Sequence, residues 1–306
     1  MVPDAADPVC VYVLIPTYRE LSLLRKALAA LAVQTYRNLT VVVINSHPAD
    51  ETSAFLRDHS LPLHIIEVEA TEYDFWTGAI NKGLAWVKPR TGAGDCVLLL
   101  NSDVKLPAEG VARYVEMADQ HPQALFCAAT VSDGHYQSSG CRVRSWAWAL
   151  TAHPLLGRPF PATAVPDLIP VDMLAGRALF FPARLLQQIA PVDERYLPHY
   201  GADYVFSCRA KREAGYGLYI LSGLTIEVDR MHTGNKLYRP GVGLLARWRA
   251  LFHIKSAANI KYRLRLVRVC YPGYAIPTAM AMTLVKSLVE ASLGPLAYRL
   301  FGKRYR

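Results

Sequence analysis

The sequence lacks a CxxC pair, a GxGxxG or GxxxxGK[ST] loop, and any run of about 20 uninterrupted apolar residues. Its six cysteines, at 10, 96, 127, 141, 208 and 270, are scattered, and several sit in apolar runs. That spacing argues for reduced, buried thiols and against a zinc cluster or a disulfide framework. Without glycine-rich loops, neither the dinucleotide fingerprint nor the Walker cradle can hold phosphates. Residues 1–8 are acidic and contain no apolar signal core, so the chain is expected to stay on the cytoplasmic side. Acidic residues are scarce at one end only. From 236 to 306 there are fourteen Lys and Arg against the single acid Glu290, a charge of +13, while residues 1–235 carry −4. A tail of that sign needs an anionic partner, either lipid headgroups or nucleic acid.

What is present is enough apolar material for a full core. The chain has 306 residues, 52% of them hydrophobic, enough for one large domain and an appendage. Apolar, β-branched runs at 10–15, 39–45, 63–68 and 96–100 alternate with segments of helical spacing at 20–34, 50–59, 79–87 and 107–120. This alternation predicts an α/β domain with a mostly parallel sheet and right-handed crossovers. In such a sheet, ligands gather at the C-terminal lips of the strands.

The stretch Asp95–Val104 (DCVLLLNSDV) organises that expectation: an apolar run buried on both faces, then Asn101-Ser102-Asp103 at its lip. Asp103 either caps the helix beginning near Pro107 or faces a ligand. The other lips offer Pro16-Thr17-Tyr18-Arg19-Glu20 and Asn45-Ser46-His47-Pro48, and Asn81 is placed to face the same crevice from the helix after the Glu72–Gly78 loop. A nucleotide held without glycine-rich loops needs a metal for its phosphates, and Asp103 could hold one.

These residues carry a resemblance. Ile15-Pro16-Thr17-Tyr18, the block Trp76–Leu84 (WTGAINKGL) and Leu100-Asn101-Ser102-Asp103-Val104 resemble successive signatures of family 2 glycosyltransferases. Asp172–Phe181, with Gly176 and Arg177, resembles the acceptor-side glycine motif of that family. Val192–Tyr196 followed by Tyr200-Gly201-Ala202-Asp203 resembles its "FDE…YxED" segment, and His232-Thr233-Gly234-Asn235 its late histidine motif. The match spans about residues 9–240.

The resemblance implies a GT-A fold and an enzyme that inverts configuration at an anomeric carbon. Its donor half would cover about 9–105 and its acceptor half about 106–240. It implies donor contacts from Pro16, Thr17, Tyr18, Glu20, Asn45, Trp76, Gly78, Asn81, Asn101 and Ser102, acceptor-side roles for Asp172, Gly176 and Arg177, Mn2+ or Mg2+ held by Asp103 and His232, and Asp203 as the base. Two positions depart from the family pattern. Asn45-Ser46-His47-Pro48 replaces an acidic loop, with Asn45 expected on a pyrimidine ring, and Ala202 replaces the Glu before the base.

Beyond 240 the composition changes. Residues 244–269 mix Leu, Trp248, Phe252 and Tyr262 with Arg and Lys, as a basic amphipathic helix or helix pair does. Residues 275–293 are mostly apolar but interrupted by Pro277, Lys286 and Glu290, which suits lying in a membrane interface rather than crossing it. The alternative is that these helices pack on the domain or form a homodimer contact. Few aromatics and many aliphatics favour lipid over nucleic acid.

The expectation is therefore a peripheral glycosyltransferase at the inner face of the plasma membrane. It would move a hexosyl or deoxyhexosyl group from a UDP or dTDP sugar to a glycan or polyprenyl-linked acceptor of a bacterial surface polysaccharide. A noncatalytic sugar- or nucleotide-binding subunit of the same fold is the alternative.

Overall fold

A computed structural model describes residues 9–228, 242–294 and 296. In chain order the elements are β1 (Val11–Thr17), α1 (Leu21–Ala32), β2 (Leu39–Asn45), α2 (Glu51–Asp58), β3 (His64–Glu69), α3 (Phe75–Val87), β4 (Cys96–Leu100), β5 (Val104–Lys105), α4 (Gly110–Gln120) and β6 (Ala124–Ser132). There follow β7 (His135–Tyr136), β8 (Gly140–Ser145), β9 (Leu150–Ala152), β10 (Leu168–Pro170), β11 (Met173–Leu174), β12 (Ala178–Pro182), α5 (Ala202–Ala214) and β13 (Gly217–Val228), then α6 (Leu244–Ala250), α7 (Ile260–Cys270) and α8 (Ile276–Leu293).

The main sheet runs β10-β13-β6-β12-β4-β1-β2-β3, with β5 paired to β13 and β7 to β6. Its first half is parallel: β1 pairs β2 from Val11↔Leu39 to Thr17↔Asn45 and pairs β4 from Val11↔Cys96 to Leu14↔Leu99. Pro16 is tolerated in this central strand because β4 pairing ends at Leu14, so its missing N–H breaks no bond on that side. The rest of the sheet is mixed: β12 lies antiparallel between β4 and β6. A second sheet of three strands, β11-β8-β9, stands beside α5.

Alternate residues of β1 serve two cores. Tyr12 and Leu14 join a cluster with α3 residues Ile80, Leu84 and Val87, while Val11, Val13 and Ile15 join one with α1 and α4 residues Leu24, Leu28 and Tyr114. Such two-sided burial explains why these strands read as continuous apolar runs.

Two helices begin elsewhere than expected. α3 starts at Phe75, not Ala79, and the Gly78 N–H already donates to the Asp74 carbonyl. α4 starts at Gly110 because 104–105 are drawn into pairing with β13, so Asp103 does not cap it. All six cysteines are free, and five are buried.

Residues 242–294 are no detached appendage. Val267, Cys270, Tyr271 and Ala279 belong to the same core cluster as β1 and α3. Arg212 of α5 donates to the Val269 and Tyr271 carbonyls at 2.7 and 3.2 Å, and Tyr271 meets Trp146 edge-on at 4.8 Å between centroids. No helix among the described residues is long and apolar enough to cross a membrane.

Candidate active site

A cavity of about 1930 Å³ opens at the C-terminal lips of β1 and β4. Pro16, Thr17, Tyr18, Glu20, Ser46 and Asn101-Ser102-Asp103 border one side of it. The Ser102 hydroxyl donates to Glu20 Oε2 at 3.0 Å, which joins the first lip to the β4 lip. The Thr17 hydroxyl is buried with no hydrogen-bond partner among the described residues, a donor free for a ligand. Phe75 at the cavity (φ 49°) and Arg19, next in sequence to Tyr18 (φ 54°), adopt the left-handed backbone that side chains disfavour. Strain of this kind collects at binding sites.

Trp76 connects this side to the next. Its indole N–H donates to Asn101 Oδ1 at 3.2 Å, and its ring packs on Gly176. A Cβ at Gly176 would lie 2.9 Å from the Trp76 ring and 3.0 Å from the Asp203 Cβ, so only glycine lets the three stack. The Gly176 N–H in turn donates to Asp203 Oδ2 at 2.9 Å, and Tyr204 N–H donates to Oδ1 at 2.9 Å. Asp203 therefore sits in the first turn of α5 with both oxygens oriented, bordering the cavity. Burial pushes its carboxyl above the usual range, opposed by the two N–H donors and by the nearby Arg177 guanidinium.

Residues 12–156 match the family described as Glycosyl transferase family 2. Three solved structures share this chain's fold. The S. aureus protein TarS, as its 1–349 chain with UDP-GlcNAc, is 14% identical with a TM-score of 0.54, over 95% of this chain and 92% of that one. The mannosyltransferase PcManGT from Pyrobaculum calidifontis, with GDP-Man and Mn2+, is 19% identical at 0.53, over 96% and 79%. GalNAc-T7 with UDP, GalNAc and Mn2+ is 12% identical at 0.57, over 95% and 59%. Against a longer TarS chain, this one spans 43% of the length. At these identities the likeness establishes the GT-A fold. No curated protein sequence matches the chain.

Several residues expected at the site do not border the cavity. Asn45 is fully buried, its amide donating to Glu67 Oε1 at 2.9 Å and Ser53 Oγ at 3.2 Å while its carbonyl accepts from His47 N–H, which uses both of its donors within the fold. Asn81 donates to the Val192 carbonyl and Glu194 Oε2 at 2.9 and 2.8 Å, which braces α3 against the 192–194 loop, and at Gly78 a Cβ would meet Asp74 at 3.0 Å and Glu194 at 3.4 Å. Asp172 accepts from Val143 N–H and pairs with Lys211 at 2.8 Å, off the cavity. His232 lies outside the described residues. β13 ends at Val228, opposite Val104, so the chain leaves the described structure beside the Asp103 turn.

The cavity also takes residues that the sequence did not single out. Lys255, between α6 and α7, places its ammonium 5.6 Å from the Tyr18 ring centroid and 6.0 Å from that of Phe75. His199 borders the cavity with its Nδ1 buried and without a partner among the described residues. Burial first, then the Lys255 charge, lowers its pKa to about 4, so its imidazole is neutral near pH 7. Its position directly before the Tyr200–Asp203 motif was the one local signal for it.

Among the described residues no three His, Cys, Asp or Glu converge on one point. Mg2+ and Mn2+ at phosphate substrates need only one or two carboxylates, with substrate oxygens completing the shell. Asp103, bordering the cavity at the β4 lip, fits that donor set.

Proposed function

We propose that this chain is an inverting glycosyltransferase that moves a sugar from a nucleoside diphosphate sugar to an acceptor hydroxyl of a glycan or lipid-linked saccharide. The observation that carries the reading is the Trp76 bridge, which ties the Asp103 turn to the Gly176–Asp203 pair across one cavity. The donor diphosphate lies against the Thr17 and Asn101–Asp103 lips, and the acceptor enters from the Asp203 side. Asp203 takes the proton of the acceptor hydroxyl while that oxygen forms the new bond to the anomeric carbon. The bond from that carbon to the diphosphate breaks on the opposite face, which inverts the configuration. A divalent cation held by Asp103, with His232 as the second ligand, would stabilise the charge on the leaving diphosphate.

The reading extends to place. Exposed Leu244, Leu245, Trp248 and Phe252 beside Arg247 and Arg249 support docking of α6 and the turn after it on an anionic membrane surface. The likeness to structures holding UDP-GlcNAc and GDP-Man supports a nucleotide-sugar donor.

The test separates the two carboxylates. Asp203→Asn should bind nucleotide as the wild type does and lose transfer by about 10²–10⁴-fold. Asp103→Ala should lose the Mn2+-dependent part of nucleotide binding, measured by calorimetry with and without metal. Full transfer by Asp203→Asn would remove it as the base. If the wild type binds nucleotide sugar and never transfers it, the chain is a binding subunit.

A further inference from the structure

The cavity lining carries five basic and five acidic side chains, but they are not evenly spread. Arg263 is met by Glu290 at 2.6 Å. Lys286 Nζ donates to the Trp148 and Ala149 carbonyls at 3.0 and 2.7 Å. Arg177 stands near Asp203 and opposes the rise of its carboxyl, and Arg144 belongs to β8 in the second sheet. What is left is three carboxylates, Glu20, Glu72 and Asp103, on the loops that follow β1, β3 and β4, and one ammonium, Lys255, at the Tyr18 lip. Glu20 and Glu72 each accept a hydroxyl, from Ser102 at 3.0 Å and from Tyr18 at 3.1 Å, which leaves their charge uncancelled. An anion entering this end of the cavity meets negative charge, and among the described residues Lys255 is the cation that stands there to offset it.

Lys255 is held in place by a built turn. Residues 251–259 join α6 to α7. The Ile260 N–H donates to the Leu251 carbonyl at 2.9 Å, the Asn259 amide to the His253 carbonyl at 3.1 Å, and the Lys255 N–H to His253 Nδ1 at 3.1 Å. Asn259 Oδ1 also accepts from the Lys261 and Tyr262 N–H groups and so caps α7. Leu251 and Ala258, both fully buried, seat the turn on Ala291 of α8.

The Lys255 side chain itself is exposed and makes no ion pair among the described residues. At 5.6 and 6.0 Å from the Tyr18 and Phe75 ring centroids, its ammonium rests near aromatic faces while keeping its N–H donors for another partner. The nearby His199 is neutral near pH 7 and adds no charge of its own.

We infer that Lys255 is the donor-side cation of the active site, its ammonium donating to the diphosphate of the nucleotide sugar and stabilising the charge that this group gains on leaving. The inference rests on the glycosyltransferase reading for the presence of a diphosphate, and on the charge distribution and the turn for the assignment to Lys255. In the step itself, the electron pair of the bond between the anomeric carbon and the diphosphate oxygen stays with that oxygen. Lys255 donates hydrogen bonds to the departing group and keeps its proton. The C-terminal helices thereby complete the donor site, since α6, α7 and α8 together hold the turn that carries Lys255.

The test titrates the full chain with UDP and GDP by calorimetry, and with uridine and guanosine at millimolar concentration by NMR. Lys255→Met should weaken the diphosphate that the wild type binds better by about tenfold or more, the size expected for a hydrogen bond to a charged group. The matching nucleoside should stay within twofold. Lys255→Arg, which keeps the charge, should hold the diphosphate within threefold of wild type. Equal weakening of diphosphate and nucleoside in Lys255→Met overturns the phosphate contact, and an equal loss in Lys255→Arg overturns the role of charge. Diphosphate affinity within twofold of wild type in Lys255→Met overturns the inference and leaves the glycosyltransferase reading standing. A wild type that binds neither UDP nor GDP removes that reading, and this inference with it.

Discussion

The sheet and the C-terminal helices place their bulky apolar residues in opposite directions. In the sheet, Phe126, Phe180, Phe181 and Ile44 are fully buried, and Tyr114 stacks on Phe180 at 4.9 Å between centroids. In α8 the buried positions are Ala, Thr and Ser, while Leu284, Leu288 and Leu293 are 38–42% exposed. α6 buries no residue at all, and its Leu245 is 74% exposed. Burial of large side chains is the main source of fold stability, so the sheet holds the molecule together. The helices contribute less to that and present apolar surface to the cavity and to the outside. Contiguous exposed apolar surface marks an interaction site. The two regions meet at α7, whose Val267 and Cys270 are buried in the main core.

The sharpest way to break this comparison is a pair of truncations. Phe180→Ala should cost about 3–5 kcal/mol of unfolding free energy in urea. The double change Leu284→Ser, Leu288→Ser should stay within about 1 kcal/mol, since each exposed substitution is worth about 0.5 kcal/mol or less. Equal losses would mean that α8 is core after all. A double variant on α6, Leu245→Ser with Trp248→Ser, should bind anionic liposomes more weakly than wild type in a flotation assay, and unchanged flotation would move the membrane surface elsewhere.

A smaller effect tests whether the helices reach the site electrostatically. His199 is held neutral down to about pH 4, first by burial and then by Lys255. Its folded-state pKa lies below the unfolded value near 6.5, so the unfolded state binds more protons and stability falls as pH drops from about 6.5 towards 4. His199→Gln should flatten that part of the pH–stability curve. Lys255→Met should raise the His199 pKa, read from its ring proton shifts; no change would remove Lys255 from the site. The smallest effect is at Asp203. Its raised carboxyl favours the protonated folded state, so its contribution declines as pH rises past the usual carboxylate value. Asp203→Asn does not titrate there, so that decline should disappear from its pH–stability curve while transfer is lost.

The sequence showed some parts of the molecule more plainly than others. β2 and β4 were legible to the residue, because a strand buried on both faces needs an unbroken apolar run. The end of α5 follows from Gly215, which takes φ 73°. β5, β7 and β12 were not legible, being two, two and five residues long with partners far along the chain. At the site, the lips were legible as polar residues following apolar runs. Which lip residues face the cavity was not. Asn81 and Glu194 meet across 113 positions, and Asn45 and Glu67 across 22, so each amide was drawn away by a partner that local spacing does not reveal.

By itself, then, the sequence determined where strands and helices fall and which carboxylates stand at their ends, because periodicity and caps act within a turn or two. It also determined that the C-terminal segment is basic and amphipathic. Only the tertiary structure decided that Gly176 seats Asp203 against Trp76, that Lys255 comes back to the first lip, and that α7 and α8 border the cavity instead of standing apart. The reason is physical. An element's type follows from its neighbours in sequence, but the direction a polar group points and the face a helix buries depend on which distant groups are there to meet it.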